Sequence, residues 1–501
     1  MMLANNFFEI LVAIEHDIDT NEVTCEGIHI WPLIRYELYD LLRKNYKFLD
    51  INELAQQKYH EAWLVNNNKI QLSNEEIIST WKSKRVQPKF SNNGPDIAFF
   101  TRDPENTRIG SDPFYNHYID PFIEVIRDKY TFIKLEANTN LKREPRNFHT
   151  SYFSLPDPTQ LNNCKISKIT NLEKLNKIVQ KYSPLNDIHE PALISQLARI
   201  LGYSSYFEDV LLQLKPKLVA LACYYNEIWF GLIHASRKLG IPTVEIQHGG
   251  VADIHCQYFN FTNLPESGYK ILPDFFWVWS KYDKLRIEEW FKPQNIYHRA
   301  IIGGNANLIL GRDSISKSEV PDDIQNFFNQ KEKIIMIGVD PYNYDNTIPD
   351  FIIRTIENSP NQWGWLIRLH PQYRSKKVHT DLVDSFSEKD LFHQKVKFVT
   401  DMPLVKLLQN CDHLVLGWSG LAFDALTFNV PTTFTHSSAY QYSPIGIKES
   451  YFGFASNSEQ LFSNIEASKK GQVPKNDATP INDPKLIEET FDLLLNNGLS
   501  N

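Results

Sequence analysis

From residue 95 onward the chain alternates two kinds of segment. Short, uniformly apolar runs bounded by polar turns give way to longer stretches with apolar residues three and four apart, and then return. The runs "DIAFF" (96–100), "TFIKLE", "KLVALACYY", "PTVEIQ", "FFWVWS" (275–280) and "RAIIGG" read as strands. Between them "YIDPFIEVIRDKY", "ALISQLARILGYSSYFEDVLLQL", "EIWFGLIHASRKLG" and "KYDKLRIEEWF" read as helices, with a less regular region before about residue 190. The pattern restarts with strands "KIIMIGVD" (333–340), "WGWLIRLHP" (363–371), "VKFVT" (396–400), "HLVLGWS" (413–419) and "PTTFTH", joined by helices such as "PLVKLLQNC" and "GLAFDALTFN". Strands alternating with helices imply parallel sheets with crossover helices. The fold class predicted is α/β, with two doubly wound Rossmann-like domains in tandem facing a cleft.

The flanks read differently. Residues 1–85 are predicted as a helical N-terminal extension, and "SKRVQPKFSNNGP" (83–95) as a polar linker. A second break is placed in the polar loop from Asn307 to Asn329, which contains Pro321. The expected division is therefore 1–85, a first Rossmann-like domain over 86–306, a second over 307–480, and a terminal amphipathic helix over 481–501 that crosses back onto the first.

Size and composition narrow the class. A chain of 501 residues exceeds what one core serves. A net charge of −8 argues against a nucleic-acid binder, which carries a basic face. Cys25, Cys164, Cys223, Cys256 and Cys411 are scattered and form no CxxC, the usage of a reducing compartment. The N-terminus has no basic leader, and no run reaches 18 apolar residues, so a cytoplasmic protein without signal peptide or membrane span is expected. The stretch "EGIHIWPLIRYELYDLLRK" suits either packing on a neighbouring domain or peripheral association with the inner face of the cell membrane.

In doubly wound sheets ligands bind beyond the carboxyl ends of the strands. Those ends isolate Asp103, Glu227, Gln247, His248, Gly249 and Gly250 in the first half, and Asp340, Arg368, His370, Pro371, Ser419 and Gly420 in the second. Arg368 and His370, two residues apart, share one face of a strand and suit a phosphate or diphosphate. Ser419 and Gly420 open a helix, whose free N–H groups form an anion seat, and Asp424 one turn on suits ribose hydroxyls. His248 ends its strand before two glycines, where an imidazole of ordinary pKa near 6.5 can take a proton at neutral pH. No GxxxxGK[ST], no GxGxxG at a strand–helix turn and no zinc-like histidine spacing is present, so no metal and no cofactor is expected.

The combination of "IQHGG", "RLHP" and "WSG…FDAL" on two tandem α/β halves resembles bacterial surface-polysaccharide glycosyltransferases of the GT-B fold, over roughly residues 95–480. These include capsule-synthesis transferases, CDP-glycerol glycerophosphotransferases and bacterial sialyl- and polysialyltransferases. The resemblance implies that His370 with Pro371, and Ser419, bind the nucleotide phosphates. It makes His248 a base or a phosphate contact, with Gln247, Gly249 and Gly250 on the acceptor side. The acidic pair of the sialyltransferases is matched only by Glu227 in "YYNEIW" and Asp103 in "FTRDPEN", and the serine pair is reduced to Ser419-Gly420. Glu227 stands as the alternative base, beside Asp103.

The implied activity is metal-independent transfer of a sugar from a CMP-, CDP- or UDP-linked donor to a glycan or lipid-linked acceptor in capsule or lipopolysaccharide biosynthesis. Two other classes share the architecture: a nucleotide-sugar 2-epimerase or hydrolase, and a non-catalytic glycan-binding assembly protein.

Overall fold

The computed structural model describes residues 7–45, 73–84, 94–102, 106–107, 113–137, 145–161, 166, 168–182, 188–250, 255–258, 261, 263–288, 296–308, 320–339, 348–370, 395–437, 439–443, 446–447, 450–471 and 476–496. Asp103, Asp340 and Pro371 lie outside the described residues.

The N-terminal segment is not helical throughout. Helices Phe7–Asp17, Trp31–Asn45 and Asn74–Lys84 are present, but β1 (Thr24–Cys25) and β2 (Ile28–His29) form a hairpin between the first two. Its turn places Glu26 and Gly27 at φ of 49° and 70°, the left-handed pair that a tight hairpin needs. Strands of two residues carry no measurable alternation, so periodicity passes over them. Ile10, Leu11, Ile14, Trp31 and Leu38 of the first two helices share one core with Phe100, Leu221, Tyr224 and Trp229. That apolar face is therefore spent on packing against the chain's own first sheet.

The first sheet is built from β3 (Ile97–Arg102), β6 (Phe132–Ala137), β7 (Ser151–Phe153), β8 (Leu218–Ala222), β9 (Thr243–Ile246), β10 (Phe275–Val278) and β11 (Arg299–Ile302). All seven are parallel, in the order β11-β10-β9-β8-β3-β6-β7. A small hairpin of β4 (Asn106–Thr107) and β5 (Tyr115–Asn116) follows β3. The continuous apolar runs are explained by position: β8, β9 and β10 are buried along their whole length, as parallel strands covered on both faces must be.

The second sheet holds β12 (Lys333–Val339), β13 (Trp363–Leu369), β14 (Val396–Phe398), β15 (His413–Leu416), β16 (Thr432–Phe434) and β17 (Gly453–Phe454). Its order is β14-β13-β12-β15-β16-β17, again all parallel. Within the polar stretch 307–329, read from sequence as loop, residues Asp322–Asn329 form a helix. Two acids open it, and Ile324, Phe327 and Phe328 bury one face at helical spacing. The terminal helix Pro484–Asn496 sets Phe491 against Phe99, Phe122 and Trp277 of the first half, at ring distances of 6.4, 6.2 and 4.9 Å.

Each sheet reverses its winding once. In the first, the chain leaves β3 towards β6 and β7, then returns through helix Glu190–Leu214 to β8 on the other side. In the second it leaves β12 towards β13 and β14, then returns to β15. The crevices at these switch points, between the carboxyl ends of β3 and β8 and of β12 and β15, are where such sheets accept ligands.

Candidate functional site

At the first switch point β8 ends in Ala222, and Cys223 follows with φ of 54°. A non-glycine residue in that conformation stores about 1 kcal/mol or more, so the surrounding structure must hold it there. Asn226 does part of this: its amide donates to Cys223 O at 3.1 Å while its carbonyl caps helix Glu227–Lys238 through Trp229 N. The turn presents Tyr225 beside His248, which leaves β9 in the same direction one strand over.

His248 is surrounded by polar partners. Its Nδ1 lies 3.1 Å from Glu245 Oε1 and 3.4 Å from the Tyr258 hydroxyl. Its Nε2 lies 3.0 Å from the Tyr225 hydroxyl, which is also 3.2 Å from His255 Nε2. Tyr118 meets the imidazole edge-on at 5.8 Å, and Tyr36 of the N-terminal helix Trp31–Asn45 packs on Tyr225 at the same distance. Burial works against a charge on His248, but Cys223 and Glu245 beside it overcome that and push it up to about 10. His255 goes the other way: burial and the neighbouring His248 push it down to about 3.

The remaining first-half candidates have structural duties. Gln247 braces two strand ends, accepting from Trp279 N at 2.8 Å and donating to Gly249 O at 2.9 Å. Glu227 is held by Arg199 in a two-pronged ion pair, both contacts 2.6 Å. The carboxylate brought to His248 is Glu245 instead, three residues earlier on β9. Strand-end reasoning missed it because it lies inside a strand. A lone acid in the four-residue buried run "TVEI" was the available signal, since buried charges occur where a partner waits.

At the second switch point Arg368 and His370 leave β13 together. Arg368 Nη1 donates to the carbonyls of Met402, Thr400 and Val399 at 2.6, 3.3 and 3.4 Å, which fixes the guanidinium on the next strand's exit. Burial and the Arg368 charge keep His370 below the ordinary histidine range, so this imidazole is neutral at pH 7. Across the sheet Ser419 Oγ accepts from Leu421 N at 3.3 Å. The helix Leu421–Thr427 that follows is seven residues long, so its dipole adds less at this point than a longer helix would. Asp424 lies 3.5 Å from Asn305 Nδ2 of the first half, and burial pushes its carboxyl up to about 7. Its side chain faces the seam between the sheets rather than open solvent.

The two switch points meet. A Cβ on Gly420 would fall 2.5 Å from Gly250 N, and one on Gly250 would fall 3.0 Å from Gly420 Cα. The close approach that these glycines allow is thus taken up, in this structure, by each other's loop. "IQHGG" and "WSG" form one continuous surface with His248 on one side and Ser419 on the other. Among the described residues, no three His, Cys, Asp or Glu side chains gather as metal ligands, and no helix is long and apolar enough to cross a membrane.

Residues 329–450 match the family described as "Capsule polysaccharide biosynthesis protein". The likeness is to capsule polysaccharide biosynthesis proteins. The matched segment contains His370, Ser419, Gly420 and Asp424, and stops short of the first sheet. No curated protein matches the chain. Among solved structures, UDP-GlcNAc 2-epimerase from Neisseria meningitidis bound to UDP-GlcNAc is similar, with 14% identity and a TM-score of 0.50 over 79% of this chain and 98% of that one. The enzyme of the same name from Methanocaldococcus jannaschii follows at 14% identity and 0.45, over 79% and 99%. The wall teichoic acid polymerase TagF gives 10% identity and 0.39, over 89% and 98%. The first of these likenesses shows the fold, two facing Rossmann-like units of GT-B type. The other two scores are too low to weigh.

Proposed function

We propose that this protein transfers a sugar, or a glycerol-phosphate-like group, from a CMP-, CDP- or UDP-linked donor to a glycan or lipid-linked acceptor of a bacterial surface polysaccharide. The observation that carries the reading is the apposition of the two switch points, with Gly250 against Gly420, inside a chain whose second half matches a capsule polysaccharide family. The nucleotide would lie on the second sheet, its phosphates received by His370, the Ser419 hydroxyl and nearby backbone N–H groups, with Arg368 supplying charge from its fixed position. Those groups stabilise the charge that develops on a departing nucleotide. His248 would act from the first sheet, at the acceptor side or on the leaving phosphate. The roles of Asp103, Asp340 and Pro371 rest on sequence alone. No step requires a divalent ion in this scheme, and activity is expected to survive EDTA. Loss of activity that Mg²⁺ or Mn²⁺ restores would overturn that part.

The test is calorimetric titration of CMP, CDP, UDP and GDP in EDTA against wild type and His370→Ala. One nucleotide is expected to bind, and the variant to weaken it by about tenfold, the worth of one or two hydrogen bonds. If none binds, the donor site is wrong, and a non-catalytic glycan-binding role takes its place. The fold shared with UDP-GlcNAc 2-epimerase favours one rival reaction. Conversion or hydrolysis of a nucleotide sugar with no acceptor present, followed by product analysis, would establish it.

A further inference from the structure

Glu245 is the most constrained charged residue at the first switch point. It sits on β9 with its side chain 1% exposed. Three groups converge on its Oε1: the Tyr258 hydroxyl at 2.7 Å, His248 Nδ1 at 3.1 Å and Cys223 N at 3.2 Å. The Tyr258 hydroxyl and the Cys223 N–H both donate to this oxygen of Glu245. Its Oε2 has no hydrogen-bond partner among the described residues. A buried carboxylate is costly unless a cation pairs with it, and the titratable ring in contact with it is His248.

The hydrogen bonds run on from there. His248 Nε2 meets the Tyr225 hydroxyl, and that hydroxyl meets His255 Nε2. Two proton arrangements satisfy this chain. With a neutral His248, Tyr225 donates to Nε2 and Glu245 is left as a lone buried anion. With a charged His248, both ring N–H groups donate, Tyr225 donates onward to His255, and the carboxylate is balanced. His255, kept neutral by burial and by its cationic neighbour, supplies the acceptor that the second arrangement needs, at the cost of an Nδ1 hydrogen that has no partner among the described residues. Charge balance selects that arrangement.

The groups facing His248 come from four elements. Glu245 lies on β9; Cys223 and Tyr225 follow β8; His255 and Tyr258 lie on the segment 255–258; and Tyr118 precedes helix Asp120–Ile126. Arg102, at the end of β3, acts on Cys223. Burial opposes ionisation of the Cys223 thiol, and His248 together with Arg102 draws it down in spite of that.

We propose that Glu245 is a positioning residue that fixes the His248 ring from below and keeps it a donor at both nitrogens, so that His248 meets a phosphate or carboxylate of the substrate as a cation and does not take the acceptor's proton. The role towards substrate rests on the transferase reading; the Glu245–His248 arrangement does not. Tyr225 takes the Nε2 hydrogen, and an incoming anion would compete for it.

The test uses the full chain labelled with [¹⁵N]histidine, whose ring-nitrogen shifts are followed from about pH 5 to 10 across the range in which histidines titrate. The His248 signal is identified by its loss in His248→Ala. Wild-type His248 is expected to keep both ring hydrogens through about pH 8. Glu245→Gln is expected to bring its midpoint down by about two pH units, and Glu245→Asp to restore much of the shift. A wild-type midpoint near the ordinary 6.5 overturns the proposal, and that reading needs no variant to fold. An unchanged midpoint in a folded Glu245→Gln overturns it as well. Adding inorganic phosphate, then the nucleotide found by calorimetry, separates the two readings. Titration as expected, with no response of His248 to either anion, sinks the substrate role alone. A response that persists to high pH in wild type but fades above neutrality in Glu245→Gln supports both.

Discussion

Each sheet ends in a histidine at or beside its switch point, and the two rings are held in opposite charge states. Burial opposes a charge on His248, but Cys223 and the buried Glu245 beside it overcome that and push it up to about 10. His370 stands beside a guanidinium tied to three carbonyls, and it is held below the usual histidine range. Burial acts against charge on both, so the sign of the nearest fixed charge decides the outcome. In a poorly solvated site that neighbour counts for more than it would in water. The first switch point is therefore balanced internally before any ligand arrives. At the second, the fixed charge is the Arg368 guanidinium, held on backbone carbonyls.

Removal of the internal counter-charge is the largest expected disturbance. Glu245→Ala leaves the Tyr258 hydroxyl, Cys223 N and a charged His248 without their shared acceptor. A loss of about 3–5 kcal/mol in urea unfolding is expected, the range for breaking a buried pair. His370→Ala, at the half-buried end of β13, is expected to cost about 1 kcal/mol or less while weakening nucleotide binding. Equal stability losses in the two variants would break the contrast between a histidine set on a buried acid and one set beside a guanidinium.

A second buried carboxylate in the first half shows what happens without a cation. Asp283, in helix Lys281–Glu288, accepts from Ser280 Oγ at 2.7 Å. Burial pushes it up from 3.8 to about 7. The folded carboxyl thus keeps its proton at a pH where the unfolded one has lost it. Stability is fully present below about pH 4, falls as pH rises towards 7, and stays low above. Asp283→Asn is expected to raise stability by about 2–4 kcal/mol at pH 8 and to change little at pH 4, measured by urea unfolding at each pH. A gain that does not depend on pH would refute this account of Asp283.

Much of the fold was legible because parallel strands covered on both faces read as unbroken apolar runs, as β8 and β10 do. The site was legible only where it coincides with strand ends: His248, Arg368, His370, Ser419 and the glycines. Glu245 escaped because it is inside its strand. Tyr225 gave only the weak signal of a polar residue at a strand end, while His255 and Tyr258 lie on a connection with no period at all. Glu227, one residue past the Asn226 cap, occupied the expected place, yet both its oxygens serve Arg199. Glu245 reaches His248 from three residues earlier on the same chain segment, whereas Glu227 is claimed by Arg199 of helix Glu190–Leu214, a partner that meets it only on folding.

The contact between the two regions can be perturbed by one methyl group. Gly420 has φ of −56° and ψ of −19°, a conformation that alanine adopts freely. Elsewhere a glycine-to-alanine change at such a position stabilises by about 0.4–1 kcal/mol through the unfolded chain. Here the added Cβ would lie 2.5 Å from Gly250 N, a backbone atom that no rotamer change can move aside. Gly420→Ala is therefore expected to cost about 1–3 kcal/mol and to part the loops that carry His248 and Ser419. Gly250→Ala, at 3.0 Å from Gly420 Cα and 3.2 Å from the Phe423 ring, should cost less, because neither approach is as close as the 2.5 Å at Gly420. At Gly249 a Cβ would meet nothing within 4 Å, so Gly249→Ala should be neutral or slightly stabilising. A graded series, Gly420 worst and Gly249 harmless, would establish that the two switch points touch in solution as well. If all three variants behaved alike, the loops would not be in contact, and the single surface joining the sheets would have to be given up.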